Sequence, residues 1–125
     1  MTMPAGLATA DPESLRSLWP GRLEPAFRSY SDTGGRAAAE PVAMAAALVE
    51  TALDLQELGR GEAGSGPLIL GDLCLARASR LLAEVADGGL QVAFARVVER
   101  VSAAAAAGEP FPPVRALLAE VVAGC

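Results

Sequence analysis

Residues 67–78 read PLILGDLCLARA, and SRLLAEV continues them to residue 85. Apolar side chains recur three and four residues apart along this stretch, which places them on one face of an α-helix. They are Leu70, Leu73, Cys74, Leu81, Leu82 and Val85. Pro67 suits the first turn of a helix, and Gly88-Gly89 is expected to close this one near Ala86. The pattern predicts a helix whose apolar face has to be covered by other parts of the fold or by a partner.

Helical patterns also flank this stretch. An Ala-rich segment from Pro41 to about Leu58 predicts a core helix. A further helix is expected from residue 90 to just before Gly108, and a last one begins at Pro112-Pro113. No segment alternates polar and apolar residues as a strand would. Short connections make such helices antiparallel neighbours. The sequence therefore predicts an all-α antiparallel helical bundle over residues 36–125.

The first 35 residues are predicted to form short helices followed by a linker. Asp11-Pro12-Glu13 is a favourable helix start, and Trp19-Pro20-Gly21 is expected to end that helix after about two turns. A second short segment is expected from Glu24 to Tyr30, before a turn-rich linker over residues 31–35. This segment holds three of the five aromatic residues: Trp19, Phe27 and Tyr30. They are expected to anchor the segment to the bundle, with a partner interface as the alternative.

Composition excludes several classes of chemistry. A chain of 125 residues that is 52% hydrophobic can bury the core of one domain. The sequence contains no His, Lys or Asn, which removes imidazole catalysis, Schiff bases, the P-loop lysine and most zinc sites. The formal net charge is −5 and the arginines are dispersed, so nucleic-acid binding is disfavoured.

Membrane insertion and thiol chemistry are not expected either. The longest apolar runs fall short of the ~20 residues that span a bilayer. Residues 1–10 lack a charged segment and a long apolar core, so they do not form a secretory signal, and we expect a cytoplasmic protein. Cys74 and Cys125 have no CxxC spacing and are expected to be free thiols, with Cys74 a small buried hydrophobe. Cys125 is the last residue, which does not fit a prenylation signal.

The segments Leu68–Leu73 and Leu75–Ala78 resemble the Gly-Asp helix of polyprenyl diphosphate synthases. Two shorter motifs extend this resemblance, a Thr-Ala step one helix earlier and a Gly-Glu step after the following long helix. The resemblance covers roughly residues 41–109. The matching residues are Thr51, Ala52, Gly71, Asp72, Arg77, Gly108 and Glu109. It implies a bundle similar to the N-terminal part of the isoprenoid synthase fold.

The departures from the family pattern fall on its metal ligands. Aligning Thr51-Ala52 with the family places Glu57, Leu58 and Gly61 where the three aspartates of the first acidic motif are expected. Only Arg60 remains of the paired arginines that follow, and the second Asp-rich motif has no counterpart. Those aspartates hold the magnesium ions that neutralise a leaving diphosphate. The sequence therefore predicts a chain with no metal site, no cofactor and no catalytic residues of its own.

A relative that keeps the helices but lacks the metal ligands is similar to the small subunit of heterodimeric bacterial hexaprenyl and heptaprenyl diphosphate synthases. The resemblance implies a larger catalytic partner that binds magnesium, possible contact with the isoprenoid tail, and a role in setting product length. The residues predicted to meet the partner are Leu70, Leu73, Cys74, Leu81, Phe94 and Val98. The alternatives are an Ala-rich helical adaptor unrelated to prenyl transfer, or a decayed fragment without a stable fold.

Three other patterns have a functional and a structural interpretation. Glu50, Asp54 and Glu57 share one helix stripe, which would suit a divalent cation or paired acid–base chemistry but is more typical of a solvated surface. The spacing Gly59-x-Gly61-x-x-Gly64 matches a dinucleotide fingerprint but follows a helix rather than a strand, so a loop is expected. Four arginines could converge on a diphosphate or pair with Glu84 and Glu99 on the helix surface; they are Arg77, Arg80, Arg96 and Arg100.

Overall fold

A computed structural model describes residues 13–33, 40–60, 66–85, 88–110 and 112–124. Most of these residues lie in helices or turns, and none of them lies in a β-strand. The α-helices are α1 (Glu13–Arg16), α2 (Glu24–Thr33), α3 (Glu40–Arg60), α4 (Gly66–Val85), α5 (Gly88–Ala106) and α6 (Val114–Ala123). A π-helical turn, Trp19–Leu23, lies between α1 and α2. The predicted all-α bundle is confirmed.

The central element is α3. Every residue from Val42 to Val49 is buried, as are Thr51, Ala52, Leu53 and Leu55. A helix that is apolar on all sides is stable only when other elements surround it, and α2, α4, α5 and α6 all contact this one. Alanine supplies half of the run 42–49, and its small side chain lets neighbouring helices approach closely. The other helices are therefore arranged around α3.

The closest pairing in the bundle is that of α3 with α4. A Cβ atom added to Gly71 would lie 3.2 Å from the carbonyl oxygen of Ala52 and 3.4 Å from Cγ of Gln56. A contact of that length is tight, so even a methyl group at position 71 would require the neighbouring atoms to shift by a few tenths of an ångström. The five-residue connection and the extensive contact make the two helices antiparallel neighbours. Gly71 thus sets how near α4 comes to the central helix.

The first helix, α1, ends at Arg16 and does not pass Trp19-Pro20-Gly21, as predicted, but the π-helical turn that follows was not predicted. These residues begin the π-helical turn, in which the carbonyl of Leu18 accepts hydrogen bonds from the N–H groups of Arg22 (3.1 Å) and Leu23 (3.0 Å). Pro20 lies in the first turn, where its missing N–H removes no helical hydrogen bond. The turn leads directly into α2, which runs to Thr33, so residues 31–33 are helical rather than part of a linker. Residues 11, 12, 34 and 35 lie outside the described residues.

The predicted helix boundaries are otherwise close, with one exception at Gly88-Gly89. These glycines do not follow α4 as a terminator but form the first turn of α5, and residues 86–87 lie outside the described residues. The core helix extends two residues beyond the predicted end, to Arg60. The last helix begins at Val114, after Pro113 as its N-cap residue.

Gly108 ends α5 as predicted, and its backbone shows why a glycine is needed. Its φ is +70°, a conformation that residues with a Cβ rarely adopt. The N–H of Glu109 donates to the carbonyl of Ala104 (2.9 Å) and that of Gly108 to Ala105 (3.2 Å). This pair of bonds is the Schellman motif, which satisfies the last carbonyls of a helix.

The N-terminal aromatic residues belong to the core. Trp19 and Tyr30 are buried, and Phe27 packs against the core. The rings of Trp19 and Phe27 meet with their centroids 5.7 Å apart at an interplanar angle of 55°, a favourable tilted arrangement. The expectation that these residues anchor the segment to the bundle is confirmed.

Within the described ranges, no helix has both the length and the apolar character that crossing a bilayer requires.

Candidate functional site

A groove of about 280 Å³ lies between α4 and α5. We call it the α4–α5 groove. Its floor is Val49 of the central helix, so it reaches the core of the bundle. Its walls are Leu75, Ala78, Ser79 and Leu82 of α4, and Gln91, Phe94, Ala95 and Val98 of α5.

The two walls have the same spacing. On each helix the lining residues fall at i, i+3, i+4 and i+7, beginning at Leu75 on α4 and at Gln91 on α5. Each wall therefore spans about 10 Å at ~1.5 Å per residue. Only Ser79 and Gln91 bring polar side chains, and none of the lining residues is charged. Such a groove can bind apolar groups, but its lining supplies no acid, base or metal ligand.

Large apolar side chains are exposed on the two helices that form the groove. Among the described residues they are Leu68 (39% exposed), Ile69 (60%), Val85 (36%) and Val92 (51%), all on α4 or α5. Leu68, Leu75 and Leu82 are seven residues apart and Val85 follows three residues later, so Leu68 and Val85 extend the α4 wall beyond both ends. The exposed apolar side chains thus belong to the same two helices as the groove.

The six residues predicted to meet a partner differ in how deeply they are buried. Cys74, Leu81 and Phe94 are buried in the chain's own core, whereas Leu70, Leu73 and Val98 are half-buried. Phe94 and Val98 both line the α4–α5 groove. Packing within the bundle accounts for the apolar character of Cys74 and Leu81. The residues with the most exposed apolar surface, Ile69 and Val92, were not predicted, because helical spacing shows that a face is apolar and not whether it is covered.

Cys74 is a free, buried cysteine. Burial raises the pKa of its thiol to about 12, since a thiolate loses hydration in the core. The expectation of a small buried hydrophobe is confirmed. Cys125 lies outside the described residues.

A polar cluster around Glu50 of α3 joins three helices. The Tyr30 hydroxyl of α2 donates a hydrogen bond to Oε1 of Glu50 at 2.7 Å. Arg115 of α6 donates from Nε to Oε1 at 2.9 Å and from Nη2 to Oε2 at 2.8 Å. The side chains of Glu50 and Arg115 are 14% and 51% exposed. We call these residues the Glu50 cluster.

The electrostatics of the Glu50 cluster favour the charged pair and the neutral phenol. Burial alone would raise the pKa of Glu50, but the hydrogen bonds from Arg115 and Tyr30 and the charge of Arg115 outweigh it and lower that pKa. Burial and the adjacent carboxylate raise the pKa of Tyr30 well above its ordinary value. Hydrogen bonding to Glu50 likewise raises the pKa of Arg115. The cluster therefore joins α2 and α6 to the central helix rather than providing a reactive group.

The predicted acidic stripe is divided by these contacts. The carboxylate of Glu50 accepts hydrogen bonds from Tyr30 and Arg115. Asp54 is exposed, and the side chain of Glu57 lies outside the described part. No group of three His, Cys, Asp or Glu side chains suited to a metal ion occurs among the described residues. The cluster itself was missed by sequence reasoning, although a lone carboxylate after the apolar run 42–49 signals a need for polar partners.

The residues of the family resemblance fall into three places. Ala52 and Gly71 meet at the α3–α4 contact, and Thr51 is buried on α3. Asp72 is exposed and Arg77 is half-buried on α4. Gly108 and Glu109 form the end of α5.

Among the described residues, neither the arginine pattern nor the glycine pattern forms a binding site. Arg80, Arg96 and Arg100 are exposed, and Arg77 is half-buried on α4. Gly59 lies in the last turn of α3, while Gly61 and Gly64 lie outside the described ranges. The predicted loop interpretation is therefore wrong for Gly59.

Comparison with known proteins returned no matching family model, no matching curated protein and no matching solved structure.

Proposed function

We propose that this chain is the non-catalytic small subunit of a heterodimeric polyprenyl diphosphate synthase. In this proposal it associates in the cytoplasm with a larger subunit that carries both Asp-rich motifs and binds the magnesium ions. The small subunit contributes helices that complete the partner and help to set the length of the prenyl chain, for example for a quinone side chain. The chain alone would transfer no prenyl group.

The observation that carries this proposal is the contact between Ala52 and Gly71. These residues come from two separate motifs of the resemblance, 19 residues apart in the sequence. In the fold they meet across the α3–α4 pair, where a Cβ atom at position 71 would lie only 3.2 Å from the Ala52 carbonyl oxygen. The shared residues thus include those that fix the helix pairing, which is what a chain that keeps a scaffold without its chemistry should retain.

The α4–α5 groove supports a steric role rather than a chemical one. Its lining is apolar apart from Ser79 and Gln91, and it contains no charged residue. An isoprenoid chain is a branched hydrocarbon that such a surface can contact through dispersion and the hydrophobic effect. A diphosphate would need cations or metal ions, which this groove does not supply. In the proposed complex the reacting diphosphate therefore lies on the catalytic subunit.

The test begins with native co-purification of this protein from its own cells and identification of the bound proteins by mass spectrometry. The partner and this chain are then purified separately and assayed for polyprenyl diphosphate formation, alone and mixed. We expect recovery of a larger subunit with both Asp-rich motifs, and activity or a defined product length only in the mixture. Full activity from this chain alone would overturn the proposal. If no synthase is recovered and no mixture changes activity or product length, the helical-adaptor interpretation replaces it.

A further inference from the structure

We draw no further inference here: the strongest candidate, the apolar groove between α4 and α5, belongs to the site already described, and nothing in the described part of the chain shows what covers it or the exposed apolar side chains of the same two helices.

Discussion

Glu50 shows how one carboxylate can be accommodated beside the most buried stretch of a small protein. It follows the buried run 42–49 directly, and its two oxygens accept three hydrogen bonds from Tyr30 and Arg115. An unpaired carboxylate at a mostly buried site would destabilise the fold. The need for partners is visible in the sequence, but their identity is not, because they are 20 and 65 residues away.

Removing the arginine of this cluster should destabilise the fold. Arg115→Ala takes two hydrogen bonds from Glu50, and we expect the free energy of unfolding to fall by about 1–2 kcal/mol, since Arg115 is half exposed. The matched control is Arg28→Ala. Arg28 is paired with Glu24 at 3.6 Å on the surface of α2, and its loss should cost less than about 0.5 kcal/mol. Urea unfolding at pH 7 measures both, and equal effects would contradict the structural role of Glu50.

Tyr30 should titrate only when the protein unfolds in alkali. Its pKa is raised in the folded state, so its contribution to stability is complete below the ordinary tyrosine pKa of about 10 and is lost as the pH rises above it. Tyr30 is the only tyrosine of the chain, so phenolate absorbance at 295 nm reports on it alone. We expect this absorbance to appear together with the loss of helical circular dichroism. A phenolate that forms near pH 10 while the helices remain intact would contradict the burial of Tyr30.

At the scale of the helix, the pairing of α3 with α4 depends on the small size of residue 71. Gly71→Leu has to separate the two helices or displace the Ala52 carbonyl. We expect it to lower the free energy of unfolding by about 1–3 kcal/mol, as overpacking of a core does. Gly71→Ala should be milder, because alanine favours the helix by about 1 kcal/mol and offsets part of the strain.

The control for this substitution is Gly88→Leu. Position 88 is exposed in the first turn of α5, and an added Cβ there meets no atom within 4 Å. Thermal unfolding of the variants should show a clear loss for Gly71→Leu only. Similar losses at both positions would contradict the α3–α4 contact as the cause of the effect.

The helices were predictable from the sequence where local signals and tertiary packing agree. The C-terminus of α5 follows from Gly108, and the N-terminus of α6 follows from Pro112-Pro113. Glycine suits a helix C-terminus and proline a helix start through their own backbone preferences. Trp19-Pro20-Gly21 gave the prediction no sign of the π-helical turn, because proline fits the start of a helical turn as well as the region after a helix. Gly88-Gly89 misled it similarly, since glycine is tolerated at both helix ends. The α4–α5 groove was not predictable, because the separation of two helices depends on what lies beneath them, here Val49.

For the molecule as a whole, the proposed complex makes the groove a determinant of product length. Ala95→Trp adds bulk at an exposed position that lines the groove, without altering the core. In the mixture with the catalytic subunit, we expect shorter polyprenyl products, because less space remains for the growing chain. The control is Ser102→Trp on the exposed part of α5, which should leave the products unchanged. Chromatography of the products measures their chain lengths. Identical product-length distributions for both variants would exclude a steric role of the groove.

The central position of α3 has a consequence for how the protein opens. Because α3 has no independent exposed face over residues 42–49, it cannot lose its neighbours one at a time without exposing apolar surface. Its amide hydrogens should therefore exchange with solvent only through global unfolding, whereas those of α5, with its exposed outer side, should also exchange through local fraying. Native-state hydrogen exchange in low denaturant measures this difference. The chain would then behave as one cooperative unit whose slowest-exchanging amides all belong to its central helix.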